Sequence, residues 1–322
     1  MVNEHDISEA VAVLRRGGLV AFPTETVYGL GCDARSPEAL RHLYAVKGRP
    51  AGHPVIVHLP GTEHLDRWAA TVPRSAHVLA EACWPGPLTV IVPRAELVPD
   101  EVTGGRPGVA VRVPNQPVAL ALLHAFDGGI AAPSANRFGR VSPTTAADVG
   151  DDLGSDVDLI LDGGPCTIGV ESTIVDCTGP EPAIVRIGGV PKEQLEALLG
   201  HAIETRVDGE TVAPGTLPVH YAPDASVIVL ERDEVETAAA ATIAAGKRVG
   251  LLALDPPPSV PAEVVVLDAP IDVAHFAQVL YARLREADRL DLDVLYAVAP
   301  PECGIGAAVI DRLRRAGGSK SS

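Results

Sequence analysis

Short apolar segments of strand length alternate with helix-length segments along almost the whole chain, and this interleaving constrains the fold more than any other feature. Apolar residues at helical spacing predict a helix over 7–16, and Ser36 followed by Pro37 has the cap and first-turn proline of a second helix. The predicted strands of this region are 19–22, 55–58, 88–92, 109–113, 130–132, 159–161, 173–175 and 183–186. Strands that are joined through helices need crossover connections, so the pattern predicts an α/β fold with a mixed sheet.

A second alternating pattern begins after residues 201–224, which have no strong apolar period. It predicts strands 226–230, 248–253, 264–267 and 293–298 and helices 233–245, 272–289 and 306–316. Four parallel-type strands with three helices predict a small Rossmann-like domain, but the G-x-G-x-x-G turn of a dinucleotide site is missing. We therefore predict a large domain (1–200), a linker (201–224) and a small C-terminal domain (225–322).

Composition and charge exclude several classes of function. The 322 residues carry a formal net charge of −16, so nucleic-acid contact would need a local basic patch. The five cysteines are scattered without a C-x-x-C pair, which predicts neither a zinc site nor a disulfide framework. The histidines have no metal-ligand spacing, so we expect no metal bound by protein side chains. Serine-hydrolase and P-loop motifs are also missing.

The first residues are acidic and polar rather than of signal-peptide type, and the sequence contains no run of 18 apolar residues. We therefore expect a cytoplasmic protein that has no membrane partner.

Four short polar segments stand between the predicted strands of the large domain. Residues 24–31 read TETVYGLG, 47–50 read KGRP, 133–136 read PSAN, and 169–173 read GVEST. Each supplies cations, hydroxyl groups or turn glycines next to a strand end. Open α/β sheets bind their ligands at such positions, so the polar segments are the candidate site.

Arg112 is the most informative single residue. Alternation in the strand 109–113 places the valines on one face and Arg112 on the other. Two interpretations stay open: an arginine on a solvated strand face, or a partly buried guanidinium that binds a carboxylate ligand through its planar fork.

The remaining polar residues also have two interpretations each. Lys47 and Arg49 follow a predicted helix and either complement its dipole or clamp a triphosphate. Ser134 and Asn136 either serve turn chemistry or bind phosphate or ribose. His58, at a strand end, is either a substrate ligand or an edge histidine.

Taken together, the motifs closely resemble the threonylcarbamoyl-adenylate synthase family (YrdC-like domain) in its longer, two-domain form. The match comprises FPTETVYGLG at 22–31, WPGPLT at 84–89, GVESTI at 169–174, the residues Lys47, Arg49, Ser134 and Asn136, and the linker motifs APG at 213–215 and HYAP at 220–223. The resemblance implies an N-terminal twisted mixed sheet with flanking helices, followed by a smaller Rossmann-like α/β domain.

The resemblance also implies an activity. The amine of L-threonine captures bicarbonate or CO2, and the resulting carbamate attacks the α-phosphorus of ATP, which releases pyrophosphate and leaves threonylcarbamoyl-AMP. ATP is then a substrate accompanied by Mg²⁺, and a downstream tRNA threonylcarbamoyl transferase machinery uses the product beside the anticodon. Direct tRNA binding is not expected. An RNA-binding module for tRNA or double-stranded RNA is the alternative, which the net charge of −16 disfavours.

Residue roles follow from the resemblance. It implies catalytic roles for Lys47, Arg49, Ser134 and Asn136, and threonine binding by Thr26, His58, Arg112, Ala132 and Ser172. It implies ATP binding by Arg49, His53, Gly108, Ser134, Asn136, Ser142, Arg186 and Tyr221. The linker 201–224 is expected to act as a lid. Residues 216–219 read TLPV where the family usually carries Met and two basic residues, so lid closure or ATP affinity is expected to be altered.

Overall fold

A ten-stranded mixed sheet organises the first part of the chain in the computed structural model, which describes residues 2–50, 52–206 and 221–318. Its strands are β1 (Val20–Phe22), β2 (Gly29–Asp33), β3 (Ile56–His58), β4 (Leu88–Pro93), β5 (Gly108–Arg112), β6 (Ile130–Ala131), β7 (Leu159–Ile160), β8 (Thr173–Asp176), β9 (Ala183–Arg186) and β10 (Glu204–Thr205). They lie in the order β10-β9-β8-β4-β5-β3-β6-β2-β1-β7. Parallel pairs such as β3–β5 and antiparallel pairs such as β4–β5 both occur, which confirms the predicted mixed α/β sheet.

Helices flank this sheet. They are α1 (Glu4–Arg15), α2 (Pro37–Lys47), α3 (Leu65–Trp68), α4 (Arg74–Cys83), α5 (Asp100–Thr103), α6 (Pro117–Phe126), α7 (Ala146–Leu153) and α8 (Lys192–Leu199). The predicted start of α2 is confirmed, because the Ser36 side chain accepts a hydrogen bond from the Ala39 N–H and Pro37 is the first helical residue. Gly48 ends α2 in the left-handed conformation, with φ +63°. Lys47 is therefore the last residue of this helix.

The sheet is apolar on both faces. Alternation along β1 assigns Leu19 and Ala21 to one buried cluster and Val20 and Phe22 to another. The first cluster includes side chains of α2 and α4, and the second includes side chains of α1 and α6. A sheet covered on both faces exposes its strand ends, so polar residues at those ends form the accessible chemistry of the domain.

The C-terminal part is a second, smaller α/β unit. Four parallel strands lie in the order β11-β14-β12-β13, which confirms the predicted Rossmann-like arrangement. The strands are β11 (Ser226–Leu230), β12 (Val249–Leu252), β13 (Val265–Val266) and β14 (Val294–Val298), and the helices are α9 (Val235–Ala244), α10 (Val273–Arg289) and α11 (Gly306–Ala316). Within the described residues, no helix combines the length and apolar character that a membrane crossing requires.

The two compact units are not contiguous in sequence. The first comprises the described residues of Met1–Phe138, Ser142–Thr167 and Glu171–Thr216, and the second contains Gly139–Val141 and Ile168–Val170 in addition to the C-terminal residues. Within the second unit, the Ala222 N–H donates to the Gly139 carbonyl (3.1 Å) and Arg285 Nη2 donates to the Val141 carbonyl (2.6 Å). Most of the predicted linker, including 216–219, lies outside the described residues.

Candidate active site

The centre of the candidate site is the carboxyl end of two adjacent parallel strands. His58 ends β3 and Arg112 ends β5, and the two residues are register partners. Carboxyl ends of parallel strands are the usual ligand positions in open α/β sheets. Because β3 lies between β5 and β6, the interpretation of His58 as an edge histidine is wrong.

The Arg112 guanidinium is buried, with 3% of the residue exposed, so the interpretation as a solvated strand arginine is wrong. Its Nε donates to the Gly86 carbonyl (3.1 Å), and its Nη1 donates to Thr26 Oγ1 (3.0 Å). Its Nη2 lies 2.8 Å from Glu25 Oε1. The other interpretation of Arg112 is a guanidinium that binds a carboxylate ligand, and a carboxylate of the chain itself, that of Glu25, is already in contact with it.

A tight turn presents Thr26 and Glu25 to Arg112. Thr24 Oγ1 accepts hydrogen bonds from the backbone N–H groups of Thr26 and Val27 (both 3.2 Å) and lies 2.6 Å from the Val27 carbonyl. Hydroxyl groups that bond to their own backbone two or three residues on favour such turns. The turn fixes the side chains of residues 25 and 26, which precede the strand β2.

His58 is held neutral by its surroundings. Burial and, to a smaller extent, the nearby positive charge of Arg112 together lower the pKa of its imidazole to about 3. The Phe22 ring packs edge-on against it, with ring centroids 5.8 Å apart. The buried Nδ1 atom has no hydrogen-bond partner among the described residues. A neutral imidazole with a free nitrogen suits an uncharged hydroxyl group of a ligand.

Lys47 and Arg49 form a second cluster with the polar segment 133–136. Lys47 Nζ donates to the carbonyls of Ser134 (2.6 Å) and Asn136, and Arg49 Nη2 donates to the Pro54 carbonyl (2.7 Å). Lys47 is 2% exposed, so it is more than a solvated complement of the helix dipole. Burial, followed by the charge of Arg49, lowers the pKa of the Lys47 ammonium well below its usual value. An anion bound here would offset both effects.

Ser172 is at the centre of a third cluster. Its hydroxyl lies 2.8 Å from Thr89 Oγ1, and Arg186 donates to both its carbonyl (Nε, 3.0 Å) and its hydroxyl (Nη2, 2.9 Å). Next to it in sequence, Glu171 Oε1 accepts a hydrogen bond from Ser142 Oγ (2.8 Å). All of these side chains are buried. One cation, Arg186, and several hydroxyl groups are therefore preorganised around Ser172.

Backbone hydrogen bonds bring the polar segments together. The Leu30 N–H donates to the Pro133 carbonyl (2.8 Å), and the Ala135 N–H donates to the Tyr28 carbonyl (2.8 Å). The Ala132 N–H donates to the Ile56 carbonyl of β3 (2.9 Å), which places Ala132 beside the strand that ends in His58. Segments that are far apart in sequence thus converge because the strands between them pair.

Three predicted ATP-binding residues lie elsewhere than these clusters. His53 follows the Lys47–Arg49 segment, and its imidazole pKa is lowered by burial and by the charges of Arg49 and Arg106. Gly108 begins β5, about 13 Å along the strand from Arg112. Tyr221 belongs to the second unit, where it is buried, stacks on Tyr281 with ring centroids 5.5 Å apart and has the Arg312 guanidinium over its ring.

The sequence analysis misses Glu25, Thr89 and Glu171, which contact predicted site residues directly. Each lies inside a quoted motif, but none was assigned a role. The sequence does hold a signal for Glu25, because an acidic residue three positions after an apolar strand needs a cation if it is to be buried. Thr89 and Glu171 depend on pairing between distant segments, which sequence patterns do not specify.

The described residues include no group of three or more His, Cys, Asp or Glu side chains that could hold a metal ion. No disulfide joins any of the five cysteines, of which four are buried and Cys303 is exposed. The site therefore consists of guanidinium, ammonium, imidazole, hydroxyl and carboxylate groups, most of which are donors. Such a donor set suits a ligand with several anionic groups.

Comparison with known protein families covers both units. The Sua5, YciO and YrdC family model, described as "Telomere recombination", matches residues 12–188. The model described as "Threonylcarbamoyl-AMP synthase, C-terminal domain" matches residues 190–318. The two matches together span nearly all of the chain.

Individual relatives match over the same span. The threonylcarbamoyl-AMP synthase of Pyrococcus abyssi is 42% identical over 329 residues, which cover 98% of this chain and 95% of the relative. That of Bacillus subtilis is 37% identical and covers 99% and 94%, respectively. The crystal structure of P. abyssi Sua5 complexed with L-threonine superimposes with a TM-score of 0.93 at 41% identity, over 99% of this chain and 96% of that chain.

Proposed function

Since the chain belongs to the threonylcarbamoyl-AMP synthase family, we propose that it converts L-threonine, bicarbonate or CO2, and ATP into L-threonylcarbamoyl-AMP and pyrophosphate. The observation that carries this proposal is the buried Arg112 beside His58 at the carboxyl ends of β3 and β5. A guanidinium fork and a neutral imidazole match the carboxylate and the hydroxyl group of threonine.

Different residues of the proposed threonine site bind different groups of the substrate. Arg112 retains guanidinium N–H groups beyond those given to Gly86 and Thr26, and these bind the threonine carboxylate. His58 Nδ1 and Thr26 Oγ1 bind the remaining polar groups of threonine, together with the backbone at Ala132 and the hydroxyl of Ser172. Because the pKa of His58 is about 3, this residue acts as a hydrogen-bond partner and not as a cation at neutral pH.

The phosphates of ATP bind at Lys47 and Arg49, with Ser134 and Asn136 as polar neighbours. No protein nucleophile is required, because the threonine carbamate oxygen attacks the α-phosphorus directly. The protein positions the reactants and neutralises charge at phosphorus. If Mg²⁺ accompanies the triphosphate, it would supply further charge neutralisation at the phosphates. The lowered pKa of Lys47 favours a proton uptake when the triphosphate binds.

The rest of the nucleotide is assigned to His53, Gly108, Ser142, Arg186 and Tyr221. We assign catalysis to the domain 1–200, a lid function to the linker 201–224, and no catalytic residue to the domain 225–322. With TLPV at 216–219 in place of the usual basic residues, either the lid works mainly through Tyr221 or the affinity for ATP is lower. The protein acts in the cytoplasm and passes its product to a tRNA threonylcarbamoyl transferase machinery, without binding tRNA itself.

The test is pyrophosphate release from ATP, with threonine and bicarbonate omitted in turn. Release should require all three substrates, and Arg112→Ala should raise the KM for threonine by at least about 10-fold, since a charge-assisted hydrogen bond contributes about 1.5–3 kcal/mol. Arg74→Ala is the matched control, because Arg74 is exposed on α4 of the same domain. Release that does not depend on threonine would contradict the proposal.

A further inference from the structure

The Glu25 carboxylate is buried without adequate partners. The residue is 4% exposed, and neither Oε1 nor Oε2 makes a hydrogen bond to the described residues. Among the described residues its charged contact is Arg112 Nη2, at 2.8 Å from Oε1, and Nη2 likewise makes no hydrogen bond of good geometry to them. Buried carboxylates normally accept several hydrogen bonds, since desolvation without them is costly. Both oxygens of this carboxylate can therefore accept hydrogen bonds that the described residues do not supply.

The charges of Glu25 and Arg112 indicate which kind of ligand would bind beside them. Arg112 is already neutralised by Glu25 before any ligand arrives. If only a carboxylate bound to Arg112, the buried site would hold two anions and one cation, an arrangement that low polarity makes unfavourable. A ligand that brings its own cation restores neutrality. L-Threonine is such a ligand, because it is a zwitterion at neutral pH.

Distances within the substrate agree with this balance. In an α-amino acid, a single carbon atom separates the ammonium nitrogen from the carboxylate carbon. Glu25 Oε1 and Arg112 Nη2 are themselves in contact at 2.8 Å. One α-amino acid can therefore place its carboxylate on Arg112 and its ammonium on Glu25 at the same time. The four groups would then alternate in sign, each next to two groups of opposite charge.

We propose that Glu25 binds the ammonium group of the amino-acid substrate and makes the site specific for the α-amino-acid zwitterion. This inference rests on the proposed threonine site and adds a specificity-determining residue to it. The competing explanation is structural, namely that Glu25 only holds Arg112 in place. The two explanations differ in one respect: a structural role affects every carboxylate ligand equally, whereas an ammonium contact affects only ligands that carry an ammonium group.

The experiment compares two ligands by equilibrium binding without ATP or bicarbonate. They are L-threonine and 3-hydroxybutanoate, which is threonine without its amino group. Glu25→Gln, which keeps the side-chain shape and removes its charge, should weaken threonine binding by about 10- to 150-fold, the range for a hydrogen bond to a charged group. It should leave 3-hydroxybutanoate binding unchanged or tighter, because an unpaired anion near that ligand is removed.

Two further variants complete the design. Glu25→Asp keeps the charge but shortens its reach, so it should weaken threonine binding while sparing 3-hydroxybutanoate, and it replaces Glu25→Gln if the latter does not fold. Glu81→Gln is the matched control, because Glu81 is exposed on α4. An equal loss for both ligands, or no loss for either, would overturn the inference. If the wild-type protein does not bind threonine at all, the proposed function fails together with it.

Discussion

Acid should destabilise the first unit through His58 in particular. The folded protein holds the pKa of this imidazole at about 3, against an ordinary value of 6.5 that applies when the chain is unfolded. Between pH 6.5 and pH 3 the unfolded chain therefore binds one more proton at this position than the folded chain. Folding stability from this group is fully present above pH 6.5 and is lost as the pH falls towards 3.

The size of the effect follows from the pKa difference. Each pH unit below 6.5 costs about 1.4 kcal/mol, so His58 alone should remove about 2 kcal/mol from the free energy of unfolding at pH 5. His58→Gln retains a polar side chain that does not titrate, so it should lose about 2 kcal/mol less than the wild type between pH 7.5 and pH 5. The quantity compared is the change in the free energy of unfolding between pH 7.5 and pH 5. Any loss of stability that the substitution causes equally at both pH values therefore cancels.

Urea unfolding followed by tryptophan fluorescence measures this difference in the first unit. The chain has two tryptophans, Trp68 and Trp84, and both are buried in that unit. His77→Gln is the control, because His77 is exposed on α4 and its replacement should leave the pH dependence unchanged. Equal losses of stability in the wild type and in His58→Gln would refute the assignment of a neutral, buried imidazole.

Two other outcomes are expected. Since burial and the charge of Arg49 hold the pKa of Lys47 well below its usual value, a bound ATP analogue should raise this pKa, and binding should take up protons at pH values between the pKa of the free protein and that of the complex. Titration calorimetry over a range of pH, in buffers of different ionisation heat, should detect the uptake, and an uptake that survives in Lys47→Met would contradict the reasoning. Gly188→Ala should lower the free energy of unfolding by about 1–3 kcal/mol and lower pyrophosphate release, because the new Cβ would lie 2.3 Å from the Glu171 carbonyl oxygen. Gly179→Ala is the control, because its Cβ would make only an ordinary contact of 3.6 Å. Equal stability of the two variants in urea would contradict this expectation.

Local patterns predict regular elements well where apolar spacing is clear. The predictions for 226–230 and 306–316 agree with β11 and α11 residue by residue. By contrast, α6 (Pro117–Phe126) is apolar around most of its circumference, so no helical period identifies it. The strand β2 is also missed, because it begins inside the polar segment 24–31.

The sequence of β2 explains why local patterns fail there. Gly29 and Gly31 have low strand propensity, yet the fold needs glycine at these positions. A Cβ at Gly31 would lie 2.8 Å from both Ile130 and the Phe22 ring. Packing between β2 and its neighbours therefore overrides local preference, and only the assembled sheet reveals it.

The site residues also differ in whether local sequence patterns or contacts between distant positions identify them. Strand alternation and local motifs indicate Arg112 and Lys47, the family resemblance adds Ser172, and the structure shows that all three are buried. Neither the local patterns nor the resemblance selects Glu25, because the importance of this residue depends on a contact with Arg112 across 87 positions of the chain. Contacts of that kind are set by strand order, which the sequence pattern does not determine.

The segments Gly139–Val141 and Ile168–Val170 belong to the second unit but are synthesised long before the rest of it. At about 5–20 residues per second, roughly 7–35 s pass between the synthesis of these segments and the completion of residue 318. A contiguous 221–318 fragment would lack the Gly139 and Val141 carbonyls, which accept hydrogen bonds from the Ala222 N–H and from Arg285 Nη2. The C-terminal unit is thus completed only at the end of synthesis, from segments made at two different times, and is not an independently appended module. A chain that is truncated before residue 221 would contain the segments 139–141 and 168–170 without the C-terminal residues of their unit.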